Sequence, residues 1–134
     1  MKTHPSQEKR RGFTLIEISM VIGLLLALTT FATMNVSAVR DWQRGKDAAI
    51  SLQAVFAAQR AYMADHPTAE IADVSSVDLQ TYLPQGWASI PTATSLRGET
   101  LTVNHLVMPP QWQLGVTVYD PSGNGSDGLW DTGQ

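Results

Sequence analysis

Two places in this chain of 134 residues hold side chains whose types and spacing could do chemistry. The first is Glu17, the only charge in Phe13 to Val39, where 18 of 27 residues are apolar. A carboxylate inside an apolar layer costs free energy unless a cation meets it. The second is the acidic stretch Asp120-Pro121-Ser122-Gly123-Asn124-Gly125-Ser126-Asp127-Gly128-Leu129-Trp130-Asp131. Asp120, Ser122 and Asn124 fall at positions 1, 3 and 5 of a twelve-residue calcium loop, Gly125 at 6, Asp127 at 8 and Asp131 at 12. Hard oxygen ligands in a glycine-rich turn suit Ca2+. Three features depart from that pattern: Ser122 replaces Asp or Asn, Asp131 has a shorter arm than the usual Glu, and Asp127 stands where an apolar residue is usual. The other reading of this stretch is a solvated acidic tail.

Other chemistries find little support. Histidine occurs only at His4, His66 and His105, and no nucleophile motif, phosphate-cradling glycine loop or histidine-rich metal set accompanies them. The expectation is a protein that is not an enzyme. There is no cysteine, which excludes disulfides and cysteine-ligated zinc. The net charge of −3 is unevenly placed: residues 1–12 carry +3, whereas residues 13–134 carry five basic and eleven acidic side chains. An acidic bulk repels phosphates, so nucleic acid is an unfavoured partner.

A basic segment followed by an apolar run reads as a membrane-directed helix with its positive end in the cytoplasm. Ile18 to Val39, 22 residues, would rise about 33 Å as a helix and cross a hydrocarbon core of about 30 Å. Its far half carries Thr29, Thr30, Thr33, Asn35 and Ser37, polar enough to expect packing against protein for part of the time. A competing reading is a secretory signal peptide cut at Val36-Ser37-Ala38, releasing a soluble exported binding domain.

The residues around the lone carboxylate bear on that choice. Arg10-Arg11-Gly12-Phe13-Thr14-Leu15-Ile16-Glu17 resembles the processing site of type IV pilins and of the pseudopilins of type II secretion. The resemblance implies cleavage after Gly12 by a prepilin peptidase and methylation of the new terminal residue, Phe13. It also implies a filament subunit that sits first in the bacterial inner membrane and meets an assembly platform there. The subunit then joins other pilin-like subunits in a periplasmic or cell-surface filament. The freed amino group of Phe13 is mostly cationic at neutral pH. It is a partner for Glu17 either within the chain, one helical turn away, or on a neighbouring subunit, as the resemblance implies. Glu17 could instead snorkel to the cytoplasmic interface. Met34 stands where major pilins usually have proline. Major pseudopilins also end in an acidic, glycine-rich calcium loop near a tryptophan, and Asp127-Gly128 and Trp130-Asp131 are similar in composition to that ending.

These readings place a leader at 1–12, a transmembrane and assembly helix at 13–39, its amphipathic continuation at 40–66 and a small domain at 67–134. The expected fold is α+β and pilin-like: one long N-terminal helix packed by a small antiparallel sheet. In the continuation, Leu52, Val55, Phe56, Tyr62 and Met63 recur at helical spacing and predict a core stripe, while Gly45 weakens the helix without ending it. Pro67 predicts the stop at Asp65-His66. Ser75-Ser76-Val77-Asp78 has capping-box spacing, with Leu79, Tyr82 and Leu83 facing the core. Thr100–Asn104 and Trp112–Tyr119 alternate as strands do, the latter with Trp112, Leu114, Val116 and Val118 on one face.

Overall fold

The computed structural model describes residues 12–134, so the basic leader, Gly12 apart, lies outside the described residues. The fold is α+β, in the pilin-like arrangement expected. The 51-residue helix α1 (Leu15–Asp65) is followed by a single 3-10 turn (Ile71–Asp73) and the short helix α2 (Ser76–Thr81). Four strands follow: β1 (Ala93–Thr94), β2 (Thr100–Asn104), β3 (Gln111–Leu114) and β4 (Thr117–Val118). They form one antiparallel sheet in the order β1-β2-β3-β4. Two compact units divide the chain, Met1–Ser37 and Ala38–Gln134.

In the first unit α1 is long and apolar enough to cross a membrane, and none of its apolar window is buried within the chain. Its polar side chains are satisfied at home. Ser19, Thr29, Thr30, Thr33 and Ser37 donate to carbonyls three or four residues back, and the Asn35 amide donates to Phe31. Such back-bonding spares each hydroxyl the cost of standing unpaired in hydrocarbon. The hydroxyls of the polar far half therefore need no protein partner to donate to, whereas Asn35 places only one hydrogen of its amide.

In the second unit the helix turns a face of small residues inward. Gly45, Ala48, Ala49, Ala54 and Ala58 are buried there with Leu52, Val55 and Gln59. Of the expected stripe, Leu52 and Val55 reach the core, while Phe56, Tyr62 and Met63 are half-buried along its margin. Alanine and glycine let the sheet come close, and large residues from the sheet fill the space. One cluster joins Ala48 and Leu52 to Leu101, Trp112 and Trp130; a second joins Val55 and Ala58 to Val74 and Leu79. Val103 on β2 touches both. The indole N–H of Trp112 donates to the Ala48 carbonyl at 3.2 Å, as a buried tryptophan requires. Gln59, fully buried, donates to the carbonyls of His105 and Val107, both at 2.8 Å, and so ties the loop after β2 to the helix.

The local signals hold where neighbours in sequence decide them. Helix α1 ends at Asp65, before Pro67. Ser75 caps α2: its hydroxyl accepts the Asp78 N–H at 3.2 Å and donates to the Asp78 carboxylate at 2.7 Å. The Trp112–Tyr119 strand is corrected. β3 stops at Leu114 and returns as β4 through Gly115-Val116, with Leu114 opposite Thr117. Gly115 takes φ +65° at the first of the two turn positions, the place a type II′ hairpin gives to glycine. The turn takes Val116 out of the expected apolar face and leaves it 93% exposed, and the register sets Val118 opposite Gln113, on the other face from Trp112 and Leu114 and 52% exposed. β1 also lies outside what the sequence predicted, its two residues being too few for an alternation to register.

The C-terminal end closes this unit against α1 at Gly45. The Trp130 N–H donates to the Gly45 carbonyl at 3.1 Å, and the Trp130 indole lies over the glycine. A Cβ at position 45 would stand 2.9 Å from the indole nitrogen and 3.3 Å from Leu129. Gly45→Ala should therefore destabilise by about 1–3 kcal/mol, against a gain in helix propensity of about 1 kcal/mol. Thermal unfolding followed by tryptophan fluorescence checks the sign; a stabilised variant would mean that the indole moves aside freely.

Candidate functional site

At the start of α1, Thr14 holds the first turn. The Glu17 N–H donates to the Thr14 carbonyl at 3.0 Å and to its hydroxyl at 3.3 Å, and the Ile18 N–H donates to the same carbonyl at 3.2 Å. Thr14-Leu15-Ile16-Glu17 is thus a threonine cap with an acidic residue three positions on. This places the Glu17 carboxylate in the first turn, where unpaired N–H groups and the positive end of the helix favour negative charge. The spacing that marks a processing motif also makes a helix start, a coincidence that inspection of Thr14 beside Glu17 in the sequence could have found. Phe13, 80% exposed, lines one recess with Glu17, Ile18, Val21 and Ile22. Gly12 precedes the helix with open space around it.

The second group of candidate residues lies in the turns after β4. Asp120 folds back on its own segment: one carboxylate oxygen accepts the Ser122 N–H at 3.1 Å and hydroxyl at 2.7 Å. The Ser122 hydroxyl in turn accepts the Asn124 N–H at 3.3 Å, and the Asn124 carbonyl accepts the Asp127 N–H at 3.1 Å. Asp127 accepts the Leu129 N–H at 2.8 Å. Asp131 Oδ1 accepts the N–H of Gly128 at 3.0 Å and that of Gly133, while its Oδ2 is buried with no partner. Glycine at 128 has φ +71°, and the Lys46 ammonium stands 3.4 Å from where a Cβ would be.

Desolvation pushes the Asp127 carboxyl up. The Leu129 N–H, hydrogen bonds with Asp131 and Ser122, and the Lys46 charge together outweigh it and hold the group below its ordinary 3.8. Asp127 thus has one carboxyl and one hydroxyl as side-chain neighbours and feels the Lys46 charge from beyond ion-pair distance. Among the described residues no group of three or more His, Cys, Asp or Glu side chains is placed to hold a metal ion. Calcium takes six to eight oxygens; Ser122 and Asp131 lie within reach of Asp127, Ser122 is bonded to Asp120, and one Asp131 oxygen is buried without a partner, while the Lys46 ammonium stands beside Gly128.

No family model, curated protein or solved structure matches this chain.

The remaining sequence candidates lie apart from both places. The His66 ring stacks on Tyr62 at 4.4 Å between centroids, and the His105 carbonyl is held by Gln59. The docking of Trp130 on Gly45 and the approach of Lys46 to Gly128 escaped the sequence reading, which took Gly45 only as a weak point of the helix. The mid-helix glycine was the docking's one visible sign.

The pH dependence of the C-terminal turns follows from Asp127. A carboxylate with a lowered pKa adds stability that is complete above its ordinary value and is lost as pH falls through the folded one. Acidification below about 4 should loosen the turns around Trp130, seen as a change in tryptophan emission. Asp127→Asn should show a weaker acid transition; an identical profile would assign the loss to other carboxylates.

Proposed function

We propose that this chain is a membrane-anchored structural subunit of a pilin-like or pseudopilin filament. In this reading a prepilin peptidase cuts after Gly12 and Phe13 becomes a methylated, cationic terminus. The N-terminus starts on the cytoplasmic side of the bacterial inner membrane, and α1 polymerises with its counterparts in other subunits.

The observation that supports this best is a single acidic side chain, Glu17, in the first turn of a helix whose large apolar residues are exposed as far as Val39. Leu15 is 90% exposed, and Leu24, Phe31 and Met34 are likewise uncovered. An apolar surface of this extent does not persist in water and calls for lipid or neighbouring helices. Within it, a carboxylate is tolerable beside the helix start and still carries charge to offer a cation. The back-bonded hydroxyls suit the same helix to both surroundings, since neither lipid nor a packed neighbour has to satisfy them. A terminal ammonium on Phe13 of an incoming subunit is the matching charge, and pairing would select one stagger between helices.

One observation favours the alternative of a soluble exported domain released near Ala38: the boundary between the compact units falls between Ser37 and Ala38. Against it, α1 runs unbroken through that position, and a peptidase would have to unwind the helix to cut there.

The amino-terminal sequence and mass of the mature chain separate these readings. A chain beginning at methylated Phe13 is the expected result, and one beginning near Val39 would overturn it. Glu17→Ala should insert normally into the membrane and assemble at least tenfold less efficiently, an ion pair within an apolar layer being worth more than 1.4 kcal/mol. Filaments of normal yield from that variant would show the charge to be dispensable.

A further inference from the structure

Arg97 is the only lysine or arginine in residues 61–134, which carry eight acidic side chains. It stands exposed on the turn between β1 and β2, directly after Leu96, which is 37% exposed. That turn is held from several sides. The Ser95 N–H donates to the Glu99 carbonyl at 2.8 Å, and the Gly98 N–H to the Ser95 carbonyl at 3.0 Å. The Ser95 hydroxyl accepts the N–H groups of Arg97 and Glu99 at 3.2 and 3.0 Å and donates to the Glu99 carboxylate at 3.3 Å. Just past β4, the Tyr119 hydroxyl accepts the Leu96 N–H at 2.9 Å. Among the described residues the one ion pair within 4.0 Å joins Arg44 to Asp41, so no carboxylate meets the Arg97 guanidinium.

The turn lies at the end of the second unit nearest the last apolar residue, Val39. Along α1, Gln59 holds the loop after β2, Ala48 meets Trp112, and Gly45 meets Trp130. Earlier still on the helix, Asp41 and Trp42 share a recess of about 220 Å3 with Leu96, Pro121 and Leu129. Its side chains are mostly apolar, and Trp42 is 54% exposed. Val39 precedes Trp42 by three residues, a rise of about 4.5 Å. A headgroup layer is about 5–7 Å deep on each side of the hydrocarbon. The recess therefore falls at headgroup depth when Val39 marks the hydrocarbon edge. A tryptophan, a leucine and an arginine suit that depth, with apolar bodies turned to the acyl chains and polar tips to phosphate and water.

We propose that this rim is a second membrane contact: it rests on the anionic phospholipid surface from which α1 emerges, with Leu96 entering the headgroup–acyl boundary beside Trp42 and Arg97 meeting lipid phosphate. The inference rests on the anchored part of the proposed function, that α1 spans a bilayer, and not on filament assembly. Leucine removes apolar area from water there, and the planar guanidinium can bond a phosphate through two donors at once. The acidic side chains beyond the turn are repelled by the same surface, so the rim is drawn to lipid while the rest of the unit faces water. A second copy seated on the rim would have to bury about 1,000 Å2 for a stable contact, more than one five-residue turn and one recess supply.

The chain has no cysteine, so one fluorophore can be placed at a chosen position of the full-length protein. Thr100→Cys labels the exposed start of β2 beside the turn, Met20→Cys the apolar run, and Val77→Cys the exposed side of α2, which packs on α1 at the level of Val55 and Ala58. Each is reconstituted into vesicles of phosphatidylcholine and phosphatidylglycerol that include a lipid bearing a nitroxide near its headgroup. The labels at 20 and 100 should be quenched and the label at 77 should not. Arg97→Gln should lower the bound-to-free ratio of the rim about fivefold, the equivalent of about 1 kcal/mol for one basic residue at an anionic surface. Quenching at 20 with none at 100 would overturn this proposal and leave the anchor standing; no quenching at 20 would overturn both. A label at 100 screened from the nitroxide and from aqueous iodide alike would put a second copy on the rim and overturn the proposal, as would quenching that Arg97→Gln leaves unchanged.

Discussion

The second unit depends on how closely two indoles approach one face of α1. Ala48 keeps that face low enough for Trp112 to bury itself completely, and Gly45 does the same for Trp130. A larger residue at any of these points would hold the sheet off the helix and open space that nothing nearby could fill. Glycine in a helix interior is unfavourable taken alone. Here the lost propensity is offset by an aromatic ring packed where a methyl would have been. The rest of the unit follows from that contact: the C-terminal turns lie over Lys46 because Trp130 is fixed one residue before it.

The first unit answers an opposite constraint. No core is available to Leu15–Ser37, so α1 must satisfy its polar groups without help. It does so with side-chain hydroxyls bonded to its own carbonyls and a threonine cap at its start. Glu17 reconciles two demands on one residue. A carboxylate in a first turn is compatible with the helix itself, and under the proposed filament reading it is also the charge that an incoming ammonium would meet. This is why the same four residues can read both as a helix start and as part of a processing motif.

The C-terminal acidic stretch shows how a plausible ligand pattern can be redirected by its surroundings. Spacing alone placed five oxygen-bearing side chains around one imagined ion. In the fold, one oxygen of Asp120 caps its own turn and one oxygen of Asp131 ties two glycine N–H groups, while the other Asp131 oxygen is buried without a partner. Asp127 lies in the same turns, and a lysine from the helix stands beside Gly128. The loop pattern describes which side chains are present; the direction from which positive charge arrives depends on which helix turn Trp130 docks upon.

Much of the architecture was readable because it rests on neighbours within four residues. The long apolar run, the stop before Pro67, the Ser75 cap and the alternation of β2 are of this kind, each set by local backbone sterics or side-chain periodicity. The hairpin at Gly115-Val116 was hidden because Val116 and Val118 carry the apolar alternation on in sequence, although the two-residue turn reverses which face each residue takes. Contacts such as Gly45 with Trp130, Lys46 with Gly128 and Gln59 with His105 carried no such signal. They join residues far apart in sequence, and their energies appear only once the intervening chain has closed and excluded water. Residue order thus settled what each segment is, an exposed apolar helix, a cap or a strand. Tertiary packing settled which cation, which indole and which carbonyl each segment would meet.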